Sequence, residues 1–174
     1  MFKIITFIVV SAGILWFSWP SLSNRQSHGF YRFFAFEAIL ILFLLNVNYW
    51  FDTPLAPLQL VAWLLLSVSL FLAVYGFYLL RIIGQPEGSF ENTTRLVVIG
   101  AYNYIRHPLY SSLLFLAWGI FFKQVSWLTV LLVLLATAFL VATARVEETE
   151  NLHKFGNEYA AYMKKTRMFI PFLF

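Results

Sequence analysis

Cysteine is absent from this 174-residue chain, and charge is scarce: Asp, Glu, Lys and Arg together make up 11% of it. Without cysteine there is no disulfide framework, no thiolate metal site and no cysteine nucleophile. His occurs only three times, without HExxH or paired-His spacing, so no metal is expected. No GxGxxG run occurs either, which removes the dinucleotide-binding fingerprint. What is present is apolar: 61% of the residues are hydrophobic and 20% aromatic. A soluble domain is about 45–50% apolar and about 25% charged, so lipid must meet most of this surface. The formal net charge of +4 therefore points to loop residues that orient a membrane chain and meet anionic lipid. Nucleic acid is not expected as a partner.

Five apolar segments follow one another: Ile4 to Trp19, Phe33 to Phe51, Leu58 to Leu80, Leu109 to Phe122 and Trp127 to Ala144. The fourth is short for a crossing, which takes about 20 residues. Only "KQVS" joins it to the fifth, so the two are expected to form a helical hairpin. Trp16, Trp19 and Pro20 close the first segment like an interfacial anchor rather than a signal-peptide cleavage site. With the N-terminus outside and the C-terminus cytoplasmic, only Lys3 and Lys123 of the 12 Lys and Arg lie outside. That asymmetry follows the positive-inside rule. A first segment lying in the interface would leave the other loops on the same sides.

Two polar regions fall on the cytoplasmic side of this layout: the loop Arg81 to Pro108, and the tail from Arg145. In the tail, Glu148, Leu152, Phe155, Tyr159 and Tyr162 recur at steps of four, three, four and three, a single helical stripe that Gly156 is placed to interrupt. Pro108 suits the first turn of the fourth segment. Read by itself, Arg106 is an anchor reaching for headgroups, and His107 caps the helix. The acidic pair Glu147-Glu148 also stands at the membrane end of a span. Two acids oppose the dipole of a helix that ends there, an objection that weakens if the helix runs on into the tail. Glu37 is expected to pair with Arg32, and Asn46 and Asn48 to mediate helix contacts. No internal repeat or low-complexity linker occurs, so residues 1–174 read as one domain.

From Thr94 onward the chain resembles the isoprenylcysteine carboxyl methyltransferase family, and the phospholipid N-methyltransferases of the same broad group are similar. The resemblance rests on Tyr102, Arg106, His107, Pro108 and Tyr110, then Glu147 and Glu148. It continues with Phe155, Gly156, Tyr159 and Tyr162, and closes with Arg167 and Pro171. Ala101 stands where Pro is usual, Ser112 where Gly is common, and Arg145 is two residues before Glu147 where relatives place an Arg about a turn earlier. The resemblance implies an all-α integral membrane enzyme of about five transmembrane helices. Residues 1–80 would form three spans on the substrate side. Residues 81–174 would supply a cofactor-binding loop, the hairpin and a cytoplasmic helical tail over a cofactor pocket. The implied cofactor is S-adenosylmethionine, held by Thr94, Arg95, Leu96, Val97, His107, Pro108, Tyr110, Glu148 and Leu152. Tyr102, Arg145 and Glu147 would act on a lipophilic or lipidated acceptor drawn from the membrane. The leading expectation is an isoprenylcysteine-like carboxylate. The alternatives are an ethanolamine headgroup of a phospholipid, and a non-catalytic membrane scaffold. Sterol reductases have a similar C-terminal pattern but are usually much longer.

Overall fold

The computed structural model describes residues 1–88 and 92–173. Among them it is all-helical: α1 Phe2–Leu22, α2 His28–Asn46, α3 Pro57–Ile83, α4 Pro108–Phe121, α5 Trp127–Phe155 and α6 Asn157–Lys165. Short 3-10 turns occupy Val47–Tyr49 and Gly100–Asn103. Four helices (α1, α2, α3 and α5) are long and apolar enough to cross a membrane. The fourth expected span is α4, with 14 residues. At about 1.5 Å per residue it falls well short of a hydrocarbon core of about 30 Å. The expected hairpin is present. Its turn ends in a reciprocal cap at the start of α5, where Ser126 N–H donates to Thr129 Oγ1 (2.8 Å) and Thr129 N–H donates to Ser126 Oγ (3.3 Å). Helix α5 runs on to Phe155, so Glu147 and Glu148 lie within a helix and not at its end. Gly156, at φ 56°, separates α5 from α6, which breaks the expected stripe and leaves Leu152 exposed.

The contacts sort into two compact units. The first comprises Met1–Ser67 and Leu114–Glu147. In it α1 packs on α2, and Ser11 Oγ donates to Glu37 at 2.8 Å. Arg32, expected to face Glu37, is buried over the rings of Phe17 and Phe36. Carbonyls at the end of α4 and in the turn after it take side-chain donors. Asn46 Nδ2 donates to Ile120 (2.7 Å) and Gln124 (3.2 Å), and Gln59 Nε2 donates to Lys123 (2.9 Å). Asn46 thus mediates the helix contact expected of it.

The second unit comprises Val68–Leu113 and Glu148–Phe174. Its core groups Leu79, Val97 and Tyr102, with Tyr75, Leu80 and Ile83 packed against them. Gly100 lies here at φ 60°, and a Cβ at this position would stand 2.5 Å from the Tyr75 hydroxyl. Only glycine combines that backbone with so close an approach. Ser69 Oγ donates to the Ser112 main-chain carbonyl at 2.7 Å, which joins α3 to α4, while Ser112 Oγ turns back on its own helix and donates to Leu109 O at 2.6 Å.

Candidate active site

The second unit holds a polar cluster built on the stretch Tyr104 to His107, which leads from the 3-10 turn into α4. Ile105 and Arg167 form an isolated parallel bridge. Around it the backbone bonds run Arg106 N–H to Arg167 O (2.7 Å), Arg167 N–H to Tyr104 O (3.0 Å) and His107 N–H to Met168 O (3.2 Å). Pro108 then opens α4, where a missing N–H costs nothing. The tail is therefore paired to the loop before any side chain is considered.

Side chains add the chemistry. Arg106 Nε donates to Glu148 Oε1 at 2.5 Å, and Arg106 Nη1 donates to the carbonyls of Thr166 (2.7 Å) and Met163 (3.3 Å). The expectation that Arg106 is a headgroup anchor is corrected by these contacts: its guanidinium ties α5, the end of α6 and the tail together. His107 Nε2 lies 3.4 Å from the same carboxylate oxygen. The imidazole is buried and stacks on Tyr110 with centroids 5.5 Å apart, with Phe169 at 6.2 Å. Ser111 Oγ donates to His107 O (2.9 Å) and Phe169 O (2.8 Å), fixing the first turn of α4 to the tail. Tyr162 donates to the Tyr102 carbonyl at 2.6 Å. Burial pushes the Tyr162 phenol well above its ordinary pKa, with the nearby Arg106 guanidinium working in the opposite direction. The hydroxyl therefore stays protonated as a donor.

The other sequence candidates are spread more widely. Pro108 and Tyr110 are buried beside His107. Thr94 and Arg95 are exposed, and Thr94 Oγ1 donates to the Gln85 carbonyl at 2.9 Å. Leu96 is half-buried, and Val97 and Tyr102 are core. Tyr102 OH reaches the Gly76 carbonyl at 3.5 Å. Leu152 is 38% exposed. Arg145, exposed, and Glu147, half-buried, belong to the first unit. Ser111, Thr166 and Phe169 are participants in the cluster that the sequence reading passed over. Their roles come from main-chain carbonyls and packing, which leave no residue-type signature.

An all-helical chain with several membrane-length helices and a buried Arg–Glu–His cluster is a multi-pass integral membrane protein with the makings of an enzyme. The family model for phospholipid methyltransferases matches residues 58–158, and the chain belongs to that family. It is a membrane methyltransferase, and the resemblance to the isoprenylcysteine carboxyl methyltransferase group lies within the same family. No curated protein matches it, and no solved structure does.

Proposed function

We propose that this protein transfers a methyl group from S-adenosylmethionine to the amine headgroup of a phospholipid. One observation carries the reading: the stretch matched by the phospholipid methyltransferase family, residues 58–158, encloses Arg106, His107 and the Glu148 that meets both. The side chains there suit the donor's chemistry. A carboxylate can accept from ammonium or hydroxyl groups, a guanidinium and an imidazole can meet a carboxylate, and flat rings can stack on adenine. When bound, S-adenosylmethionine supplies an electrophilic methyl on a cationic sulfonium. Thr94, Arg95, Leu96, Val97, His107, Pro108, Tyr110, Glu148 and Leu152 are the residues assigned to hold it, and Tyr102, Arg145 and Glu147 are assigned to the acceptor.

An ethanolamine headgroup is an ammonium at neutral pH and has no lone pair for attack. Glu147 is assigned as the general base that takes its proton. Arg145 is assigned to hold the acceptor phosphate by charge-assisted hydrogen bonds. Alignment of the acceptor with the methyl carbon is the main contribution the protein makes. The site faces the cytoplasm in this reading, because the loop and tail carry most of the basic residues.

A second reading, methylation of an isoprenylcysteine-like carboxylate, is favoured by the tail residues Phe155, Gly156, Tyr159 and Tyr162. A carboxylate needs no base, so Glu147→Gln separates the two: it abolishes amine methylation and spares carboxylate methylation. The test incubates membranes containing the protein with radiolabelled S-adenosylmethionine and resolves the lipids. Label in methylated ethanolamine headgroups, lost in His107→Ala, is expected. No donor binding, with His107→Ala indistinguishable from the native chain, would overturn the proposal.

A further inference from the structure

One face of α3 is open along its last turns. A cavity of about 510 Å³ is lined by Ala73, Val74, Phe77, Tyr78, Arg81 and Ile82. These positions recur in steps of a helical turn and form one stripe. The opposite face of the same stretch packs inward: Leu79 joins the core with Val97 and Tyr102, and a Cβ on Gly76 would touch Pro108 at 3.2 Å. Val74 is 63%, Tyr78 58% and Ile82 60% exposed, so the described protein leaves the stripe open.

Length and charge say what fits. From Ala73 to Ile82 the helix rises about 13.5 Å, close to the hydrocarbon depth of one leaflet, about 15 Å. The stripe is apolar except at its end, where Arg81 stands exposed in the last turn of α3. Among the described residues no acidic side chain pairs with Arg81. Tyr78 lies one turn before it, an aromatic of the kind that settles at the membrane–water boundary. We propose that this stripe is a docking groove for an anionic glycerophospholipid, with one acyl chain along Ala73, Val74, Phe77 and Tyr78 and the phosphate on Arg81. The planar guanidinium meets phosphate oxygens in a two-pronged hydrogen bond. Both headgroup classes carry the phosphate, but a zwitterionic one also brings an ammonium that the cation repels, which favours an anionic headgroup. The groove is separate from the Arg106, His107 and Glu148 cluster, and its occupant is a resident lipid rather than the methyl acceptor.

The test equilibrates the full chain with vesicles of equimolar palmitoyl-oleoyl phosphatidylglycerol and phosphatidylcholine, without methyl donor. It then counts the retained lipids by native mass spectrometry. Phosphatidylglycerol is expected in preference. Arg81→Gln should reduce that preference about fivefold, the effect of one basic residue near a membrane surface, and Arg81→Lys should keep most of it. Ala73→Trp, which fills the groove, should lower retention of both lipids. Arg25→Gln, an exposed change in the connection between α1 and α2, should leave retention unaltered. Equal retention by Arg81→Gln and the native chain would overturn the proposal. So would an equal loss in Arg25→Gln, or a second copy of the chain in place of lipid. Since no methyl donor is present, each of these three results leaves the assignment of methyl transfer standing.

Discussion

Replacing Arg106 by Met removes a guanidinium that serves three acceptors: Glu148 Oε1 at 2.5 Å, Thr166 O at 2.7 Å and Met163 O at 3.3 Å. The side chains of the ion pair are only 11% and 10% exposed. Losing one partner of a buried pair costs about 3–5 kcal/mol because the other charge is left uncompensated. The two carbonyls lose a donor as well, and the backbone bridge of Ile105 with Arg167, the Ser111 bond to Phe169 and the Tyr162 bond to Tyr102 are left to hold the tail. The loss should be local: the tail detaches more often while the apolar helices stay folded. Lys164, Lys165 and Arg167 are exposed tryptic sites at the joint. Where opening is fast relative to cleavage, the rate follows the open population. A loss of about 3–5 kcal/mol then predicts cleavage there faster by about two to four orders of magnitude. Arg106→Lys discriminates between the roles available to this residue. A headgroup anchor keeps its function as Lys. A fork that donates in fixed directions from Nε and Nη1 does not, so Arg106→Lys should cleave nearly as fast as Arg106→Met. Cleavage within twofold of the native rate in Arg106→Met, or full protection in Arg106→Lys, would refute the clamp.

Further outcomes follow from single contacts. Glu148→Gln should remove most methyl transfer while leaving the helical far-ultraviolet signal intact, read as turnover against circular dichroism of the same sample. Gly100→Ala places a Cβ 2.5 Å from the Tyr75 hydroxyl at φ 60°. The left-handed backbone alone costs about 1–2 kcal/mol, so the apparent Tm should fall by several degrees. Lys123 Nζ is buried without a hydrogen-bond partner, 3.4 Å from the centroid of Trp63. Burying an ion costs several kcal/mol, more than the roughly 2 kcal/mol returned by the ring. Lys123→Met should therefore raise the Tm, and a marked fall would show that the cation's seat stabilises the turn. Tyr162 gives a pH dependence. Its phenol titrates higher in the fold than in the unfolded chain, so its contribution is complete below pH about 10 and is lost as pH rises toward the folded value. Alkaline unfolding above pH 10 should be shallower in Tyr162→Phe than in the native chain.

The parts of this fold that were legible in the sequence are those a period or a composition can carry. Runs of apolar residues gave the helices of the membrane because every backbone group must be satisfied within the segment. Pro108 gave the start of α4, and Gly156 the break between α5 and α6. What escaped was non-local and small. The bridge of Ile105 with Arg167 has no hydrophobic alternation to announce its register. Ser111 bonds to a carbonyl 58 positions away, and any residue could have supplied that carbonyl.

The acidic pair shows where a local rule misleads. A helix dipole disfavours two carboxylates at a helix C-terminus, and on that count Glu147 and Glu148 looked anomalous. Because α5 continues to Phe155, both lie two turns from its end, and the macrodipole has little effect there. Adjacent positions on a helix point about 100° apart, so the pair cannot share one environment. Glu148 turns to Arg106 and His107 and is buried, while Glu147 stays half-exposed. A carboxylate held by a guanidinium is a poor proton acceptor, because the cation stabilises its charged form. In the proposed reaction Glu148 helps to hold the donor, and Glu147 takes the proton from the acceptor. The two substitutions should therefore fail in different ways. Glu148→Gln should weaken retention of S-adenosylmethionine in equilibrium binding. Glu147→Gln should leave that binding intact while stopping amine methylation, and equal loss of cofactor binding in both would refute the division.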